Sequence, residues 1–215
     1  MEHCDPAELR RRYEGIGLDE AEAATDPVAQ FRVWFDEAAG SGLPEPNAMV
    51  LTTATPDGVP RGRTVLLKAY DSAGFVFYTN LTSRKGREIA ANPRACLVFP
   101  WHPIRRQVIV TGEVEELPRE ESAAYFRSRP YGSQIGAWAS RQSAVIGSRA
   151  ELDARFAELS RRWPEGTEVP LPDFWGGLRV RPYEMEFWQG RGDRLHDRLR
   201  YRRTDGDWVL ERLSP

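Results

Sequence analysis

The stretch Arg63–Lys85, RTVLLKAYDSAGFVFYTNLTSRK, constrains the fold more than any other part of the chain. Val65, Leu66 and Leu67 form an apolar run that ends at Lys68. Asp71 to Gly74 supplies turn residues, and Gly74 to Thr79 is a second run rich in aromatic and β-branched side chains. Ser83 stands where the N-cap of a helix beginning at Arg84 is expected. The pattern predicts strand, tight turn, strand and the start of a helix, with Arg63, Lys68, Arg84 and Lys85 at the element ends. The chain has 30 Lys and Arg residues, of which only Lys68 and Lys85 are lysine, and both fall inside this stretch. An arginine-biased chain that keeps its ammonium groups here points to a compact point charge, hence an anion site, most simply for phosphate, at a helix N-terminus.

Composition narrows the class. A chain of 215 residues with 40% hydrophobic and 29% charged residues is long enough for one domain with a sizeable core. The net charge of −2 gives no global field that favours nucleic acid. No apolar run reaches the ~20 residues of a membrane span, and the N-terminus has no apolar signal core, so a cytoplasmic protein is expected. Cys4 and Cys96 are too few for a disulfide framework, and Cys96 lies in an apolar run that predicts a buried thiol. His3, His102 and His196 show no paired-ligand spacing, so no metal site is expected.

In chain order, Asp5-Pro6-Ala7-Glu8 opens a short helix that carries Arg10, Arg11, Arg12 and Tyr13, either a solvated face or an arm over a ligand. Asp26-Pro27 opens a second helix with Val28, Phe31, Trp34, Phe35 and Ala38 on one stripe. Met49 to Thr55 reads as a strand, with a hairpin signal at Pro56-Asp57-Gly58. The helix from Arg84 ends near Asn92-Pro93, and strands follow at 95–100 and 107–116. Pro118 starts another helix, Arg129 to Ser133 reads as a loop, and Ser148-Arg-Ala-Glu151 reads as a capping box before a helix with Leu152, Phe156 and Leu159 inward. Strands at 175–181 and 184–189 precede a last hairpin, 198–203 and 208–213, around Asp205-Gly206. Short hairpin-linked strands interrupted by helices predict an α+β, mainly β chain: an antiparallel barrel with flanking helices.

No Rossmann fingerprint, P-loop or Gly-x-Ser-x-Gly elbow occurs. Cations, amides and aromatics gather instead in Arg63–Lys85, Tyr125–Ser143 and Trp188–Arg198, a composition suited to an anionic, planar, heteroatom-rich ligand.

At these residues the chain resembles the pyridoxine/pyridoxamine 5′-phosphate oxidase family. The likeness runs from Leu9-Arg-Arg-Arg-Tyr13 to Glu211-Arg-Leu-Ser-Pro215. It includes Arg63-Thr-Val-Leu-Leu-Lys68, Phe77-Tyr-Thr-Asn80, Ser83-Arg-Lys85, Tyr125-Phe-x-Ser-Arg-Pro130, Ser133-Gln-Ile-Gly-Ala-Trp138, Gln142-Ser143, Phe174-Trp-Gly-Gly177, Phe187-Trp-Gln-Gly190 and Arg194-Leu-His-Asp-Arg198. The resemblance implies an FMN-binding split β-barrel that works as a homodimer with FMN at the subunit interface. It implies FMN contacts from Arg63, Lys68, Tyr78, Thr79, Arg84, Lys85, Gln107, Gln142, Ser143, Trp188 and Arg198, with Thr64, Val65, Leu66 and Leu67 beside the cofactor. It implies that Lys68, Tyr125, Arg129 and Ser133 hold the substrate phosphate and that Arg194 and His196 cover the pyridine ring as the catalytic pair. Residues 1–25 would be an arm, with Arg10, Arg11 and Tyr13 closing over substrate, and 26–215 a single domain that includes the C-terminal substrate-binding hairpin.

The implied reaction is oxidation of pyridoxamine or pyridoxine 5′-phosphate to pyridoxal 5′-phosphate, by hydride transfer from C4′ to flavin N5, with O2 as acceptor and hydrogen peroxide as product. The alternatives are a related flavin oxidase, such as that of phenazine biosynthesis, or a non-catalytic flavin- or haem-binding split barrel. Tyr131 departs from the family pattern, in which a charged residue, often arginine, is expected, and it bears on loop electrostatics or substrate access.

Overall fold

The structure is a computed structural model, and it describes residues 17–215. The expected helix over residues 5–14 lies outside the described residues.

The elements follow from local chemistry. Helix α1, Pro27–Gly40, starts where Asp26 accepts a hydrogen bond from the Ala29 N–H at 2.8 Å and proline takes the first helical position. It buries Val28, Phe31, Trp34 and Ala38, the stripe that its periodicity predicts. Strands β1 (Ala48–Ala54) and β2 (Pro60–Leu66) come next, followed by β3 (Ala69–Asp71), β4 (Gly74–Asn80), helix α2 (Arg84–Ala91), β5 (Arg94–Trp101) and β6 (Arg106–Glu116). Helices α3 (Arg119–Ser128), α4 (Tyr131–Ala139) and α5 (Arg149–Arg162) precede β7 (Trp175–Gln189) and the hairpin β8 (Asp197–Thr204) and β9 (Asp207–Arg212). The strands hydrogen-bond in the order β2-β1-β5-β6-β7-β4-β3, with β8 paired to β7 and β9 to β8. The pairs β3–β4, β4–β7, β7–β8 and β8–β9 are antiparallel. This is the strand-rich antiparallel split-barrel class with flanking helices.

The described chain divides into two compact units. One comprises residues 17–50, Leu97–Thr111 and Tyr183–Pro215, and the other comprises Leu51–Cys96 and Gly112–Pro182. In the first unit, Phe31 meets Phe99 at 4.9 Å and Trp101 at 5.8 Å between ring centroids, and Phe187 stands edge-on to Trp34 and Tyr201. In the second, Phe126, Ile135, Val169 and Trp175 form a buried cluster on which Tyr78, Tyr125, Tyr131 and Trp138 pack.

Several expectations need correction. The Arg63–Leu67 run does not pair with the Gly74–Thr79 run along its length. The chain breaks at Leu67-Lys68, and the three-residue β3 takes the hairpin partnership with β4, while β2 pairs with β1. The two strands expected around Pro182 are one strand, β7. Its residues 175–180 pair with β4 and 184–189 pair with β8, so proline sits between the two ladders, where its missing N–H costs no bond in either. The Arg129–Ser133 loop becomes helix from Tyr131. Ser148 N-caps α5 without a side-chain bond, and Glu151 accepts from the Gly147 N–H instead. Helix α5 buries no residue, and Phe156 is 38% exposed rather than inward. Cys96 is half-buried rather than buried.

Phe31 is fully buried between aromatic partners, so Phe31→Ala should destabilise the protein by about 3–5 kcal/mol through lost burial and an uncollapsed cavity. Its helix neighbour Val33 is half-exposed, and Val33→Ala should change stability by less than about 0.5 kcal/mol. Denaturant melts of the two variants beside the parent protein check the contrast.

Candidate active site

The second unit holds a cavity of about 1180 Å³. It is lined from β2 and the bend after it by Arg61, Arg63, Thr64, Val65, Leu66 and Lys68. Strand β4 contributes Tyr78, Thr79 and Asn80, and the start of α2 contributes Arg84 and Lys85. Tyr125 and Arg129 come from α3 and its end, Ser133 from α4, Gln142 and Ser143 from the segment after α4, and Trp175 from the start of β7. Both lysines of the chain therefore line one cavity. Leu67, expected beside the cofactor, does not line it; Leu67 is 4% exposed, its side chain turned into the core at the break before β3.

The cation side is built on α2. Ser83 accepts from the Gly86 N–H at 3.3 Å and caps the helix, which presents Arg84 and Lys85 from the first turn. The turn can close this tightly because residue 86 is glycine: a Cβ there would lie 2.0 Å from the Leu81 carbonyl oxygen. Lys85 is only 8% exposed. Its Nζ donates to Gln142 Oε1 at 2.8 Å, Thr79 Oγ1 at 3.1 Å and Ser83 Oγ at 3.4 Å. Burial, and then the nearby charge of Arg63, bring its pKa down from 10.5 to about 8, against the pull of Glu88. The backbone N–H of Arg84 donates to Ser143 Oγ at 3.2 Å, and Ser143 takes a left-handed backbone, φ 73°, to reach it.

Glu88, one turn after Lys85, is 5% exposed. Its carboxylate accepts from Arg61 Nη1 at 2.7 Å, from Arg63 Nη2 at 3.2 Å and from Thr53 Oγ1. Arg63 also donates to Thr53 Oγ1 at 2.6 Å and to the Leu51 carbonyl at 3.2 Å. Burial pushes the Glu88 carboxyl up, but the hydrogen bonds from Thr53 and Arg61 and the charges of Arg63 and Arg61 outweigh it and hold it below the usual carboxylate range. Sequence reasoning missed Glu88, Thr53 and Arg61. The only signal for Glu88 was its place one helical turn from Arg84 and Lys85.

The opposite character is aromatic. Tyr78 and Tyr125 stack at 3.9 Å between centroids with 13° between planes, and Trp175 lies nearly parallel to both, at 5.4 and 6.2 Å. Tyr78 pairs across the ladder with Gly177, where a Cβ would come within 2.7 Å of the Tyr78 ring. The Arg129 guanidinium lies 4.8 Å from the Trp175 ring and 5.5 Å from Phe126. Its Nη1 is buried and has no hydrogen-bond partner among the described residues, and burial lowers its pKa. Tyr131 does not line the cavity: its hydroxyl donates to the Trp163 carbonyl at 2.7 Å, so it joins the start of α4 to the end of α5.

Gln107, Trp188, Arg194, His196 and Arg198 belong to the first unit and do not line this cavity. Trp188 and His196 rings lie 4.6 Å apart. Arg198 is held bidentately by Glu186 at 2.8 and 3.0 Å. Arg194 is exposed in a turn where it and Asp193 both take positive φ, 65° and 53°. The Arg191 N–H donates to His196 Nδ1 at 3.1 Å. Gln107 sits half-buried on β6. Arg10, Arg11 and Tyr13 lie outside the described residues.

The strand order and this cavity define a split-barrel protein, and solved structures of that class align with it. A PhzG structure from Burkholderia lata, solved with tetrahydrophenazine-1-carboxylic acid, superposes with a TM-score of 0.86 at 33% identity over 91% of this chain and 95% of that one. An FMN-binding protein from Nostoc punctiforme, related to pyridoxamine 5′-phosphate oxidase, superposes at 0.71 with 18% identity, over 89% of this chain and all of its own, and shares the fold. Residues 35–162 match the family model described as pyridoxamine 5′-phosphate oxidase, and 175–215 match the one described as the pyridoxine 5′-phosphate oxidase C-terminal dimerisation region. Proteins named pyridoxine/pyridoxamine 5′-phosphate oxidase from Streptomyces avermitilis and Thermobifida fusca are 58% and 56% identical; the first alignment covers 98% of this chain and 96% of that relative, and the second covers both in full. The chain belongs to the pyridoxamine 5′-phosphate oxidase family. No described helix is long and apolar enough to cross a membrane.

Two outcomes follow from this chemistry. Lys85 has its pKa depressed in the folded chain, so between about 8 and 10.5 the unfolded chain still holds a proton that the folded chain has released. Stability from this group therefore rises as pH climbs through that window, and affinity for inorganic phosphate falls as pH climbs through about 8. Urea melts and phosphate titrations across the window should show both trends in the parent and neither in Lys85→Met. Removing the Glu88 carboxylate strands two arginines, so Glu88→Ala should cost about 2–3 kcal/mol, below the figure for a fully buried pair because both arginines reach water, and Glu88→Gln should cost less.

Proposed function

We propose that the protein is a cytoplasmic, FMN-dependent oxidase that converts pyridoxamine 5′-phosphate and pyridoxine 5′-phosphate to pyridoxal 5′-phosphate, with O2 as electron acceptor and hydrogen peroxide as product. The observation that carries this reading is the presence of two cationic centres in one cavity. Lys85 and Arg84 at the N-terminus of α2 form one, and Arg129, with an unpartnered buried nitrogen, is the other. A phosphorylated cofactor and a phosphorylated substrate need two such centres. The cavity, at about 1180 Å³, exceeds the ~300–1,000 Å³ of a single small-molecule site and leaves room for both.

The residues present fit FMN. Lys85 and Arg84 would hold its phosphate, with Arg63 beside them and the α2 N-terminus adding its dipole. Thr79, Gln142 and Ser143 offer hydrogen bonds to the phosphate and ring edges, and Thr64, Val65 and Leu66 wall the ring. When bound, FMN accepts the two electrons that leave the substrate C4′ carbon and passes them to O2. Lys68, Tyr125, Arg129 and Ser133 take the substrate phosphate. In the homodimer that we propose, FMN lies at the subunit interface, Gln107, Trp188 and Arg198 complete its site, and Arg194 and His196 cover the substrate ring.

His196 is read as a positioning group rather than a base. Its Nδ1 accepts the Arg191 N–H, a bond that helps set the orientation of the ring. Holding the pyridine face-on is the larger contribution, since oriented reactants avoid the entropy of a bimolecular encounter.

The test is aerobic turnover of pyridoxamine 5′-phosphate by the purified, FMN-loaded protein, with product absorbance and peroxide followed together. Equal yields of both, and loss of more than about tenfold in kcat/KM in Arg194→Ala, are expected if that residue orients the reacting ring. Bound FMN without turnover of either B6 phosphate would overturn the reading and turn attention to phenazine-type substrates, on the strength of the PhzG likeness.

A further inference from the structure

Phe174-Trp-Gly-Gly177 is the family motif to which none of the roles above gives a task. Trp175 is 5% exposed, yet its ring is the meeting point of the aromatic side of the cavity. It lies parallel to Tyr78 and Tyr125, takes Phe126 edge-on at 5.2 Å, and carries the Arg129 guanidinium on its face. Its own backbone is fixed: Arg119 donates to the Trp175 carbonyl at 2.9 Å, and the Trp175 N–H donates to the Pro172 carbonyl at 3.1 Å.

Two arginines that line the cavity, Arg63 and Arg129, are held in different ways. Arg63 is fixed by a carboxylate, so part of its charge and part of its donor edge are already used. Among the described residues Arg129 makes no ion pair with a carboxylate, and aromatic faces hold it instead. A π face attracts the cation through its quadrupole but accepts none of the in-plane N–H bonds. Arg129 lines the cavity, so the part of its donor edge that faces the cavity is left for an incoming anion.

We propose that Trp175 is the positioning residue for the substrate phosphate: it seats Arg129 by a cation–π contact that leaves the guanidinium edge unpaired, and through Tyr125 it fixes a second phosphate contact. The proposal rests on the assignment of Arg129 and Tyr125 to the substrate phosphate. Gly177 belongs to the same device, because only a residue without Cβ lets Tyr78 lie flat against the stack.

The test is a double-mutant cycle on the FMN-loaded enzyme with Trp175→Leu, Trp175→Phe, Arg129→Gln and Trp175→Leu/Arg129→Gln, reading KM and kcat for pyridoxamine 5′-phosphate and the Kd for FMN. Trp175→Leu should raise KM by about tenfold, the scale of a desolvated cation–π contact, with a smaller fall in kcat and little change in FMN affinity. Trp175→Phe, which keeps a π face, should recover most of the loss. Trp175→Leu added to Arg129→Gln should cost little more than Arg129→Gln alone. Independent, multiplying losses, or a Trp175→Phe as poor as Trp175→Leu, would overturn the inference and make Trp175 a packing residue. If Arg129→Gln itself leaves KM unchanged, the phosphate assignment fails first and the inference falls with it. Should Trp175→Leu not fold, Trp175→Met, another side chain without a π face, takes its place in the cycle and is read by the same two outcomes.

Discussion

The cation side of the cavity depends on one nearly water-free carboxylate. Glu88 gathers Thr53 of β1 and Arg61 and Arg63 of β2 onto helix α2. The same helix presents Arg84 and Lys85 from its capped first turn. Two strands and a helix are thereby locked in one arrangement, and the cavity inherits its positive lining from that lock. A buried carboxylate gives such a result only when its partners are charged and close, because its desolvation must be offset locally. Three donors from two strands provide that offset here, and the carboxyl stays ionised as a consequence.

Lys85 shows the cost of concentrating cations in one place. Buried and next to Arg63, its ammonium is hydrogen-bonded only by the uncharged side chains of Gln142, Thr79 and Ser83 among the described residues, and its pKa falls to about 8 in spite of the Glu88 charge. An anion at this position would relieve both the repulsion and the desolvation. Arg129 is kept in a comparable state by other means: aromatic rings hold it, and one buried nitrogen has no hydrogen-bond partner among the described residues. Both centres are destabilised in the absence of negative charge, which is the electrostatic form of preorganisation.

Much of this was legible beforehand. Asp26-Pro27 and Ser83 are local signals, and their helices start where those residues require. The concentration of both lysines in Arg63–Lys85 marked the cavity wall that they now share. Other features were not legible. The break at Leu67-Lys68 follows from β4 taking β3 as its partner, and β7 tolerates Pro182 because its ladders with β4 and with β8 end on either side of the proline. Tyr131, which invited an electrostatic reading, bonds to the carbonyl that ends α5, 32 residues away, a partner that no local pattern names.

By itself, then, the sequence determined the strand-rich class, the caps of α1 and α2, the hairpin turns and the family, because each rests on residues within a few positions of one another or on the order of motifs along the chain. Tertiary structure alone decided that Glu88 pins Arg61 and Arg63, that Trp175 carries Arg129, and that Leu67 turns away from a cavity lined by Val65 and Leu66. Those contacts join residues about 25 to 46 positions apart, and side chains so separated meet only after the strands have chosen their neighbours and burial has set which face each presents.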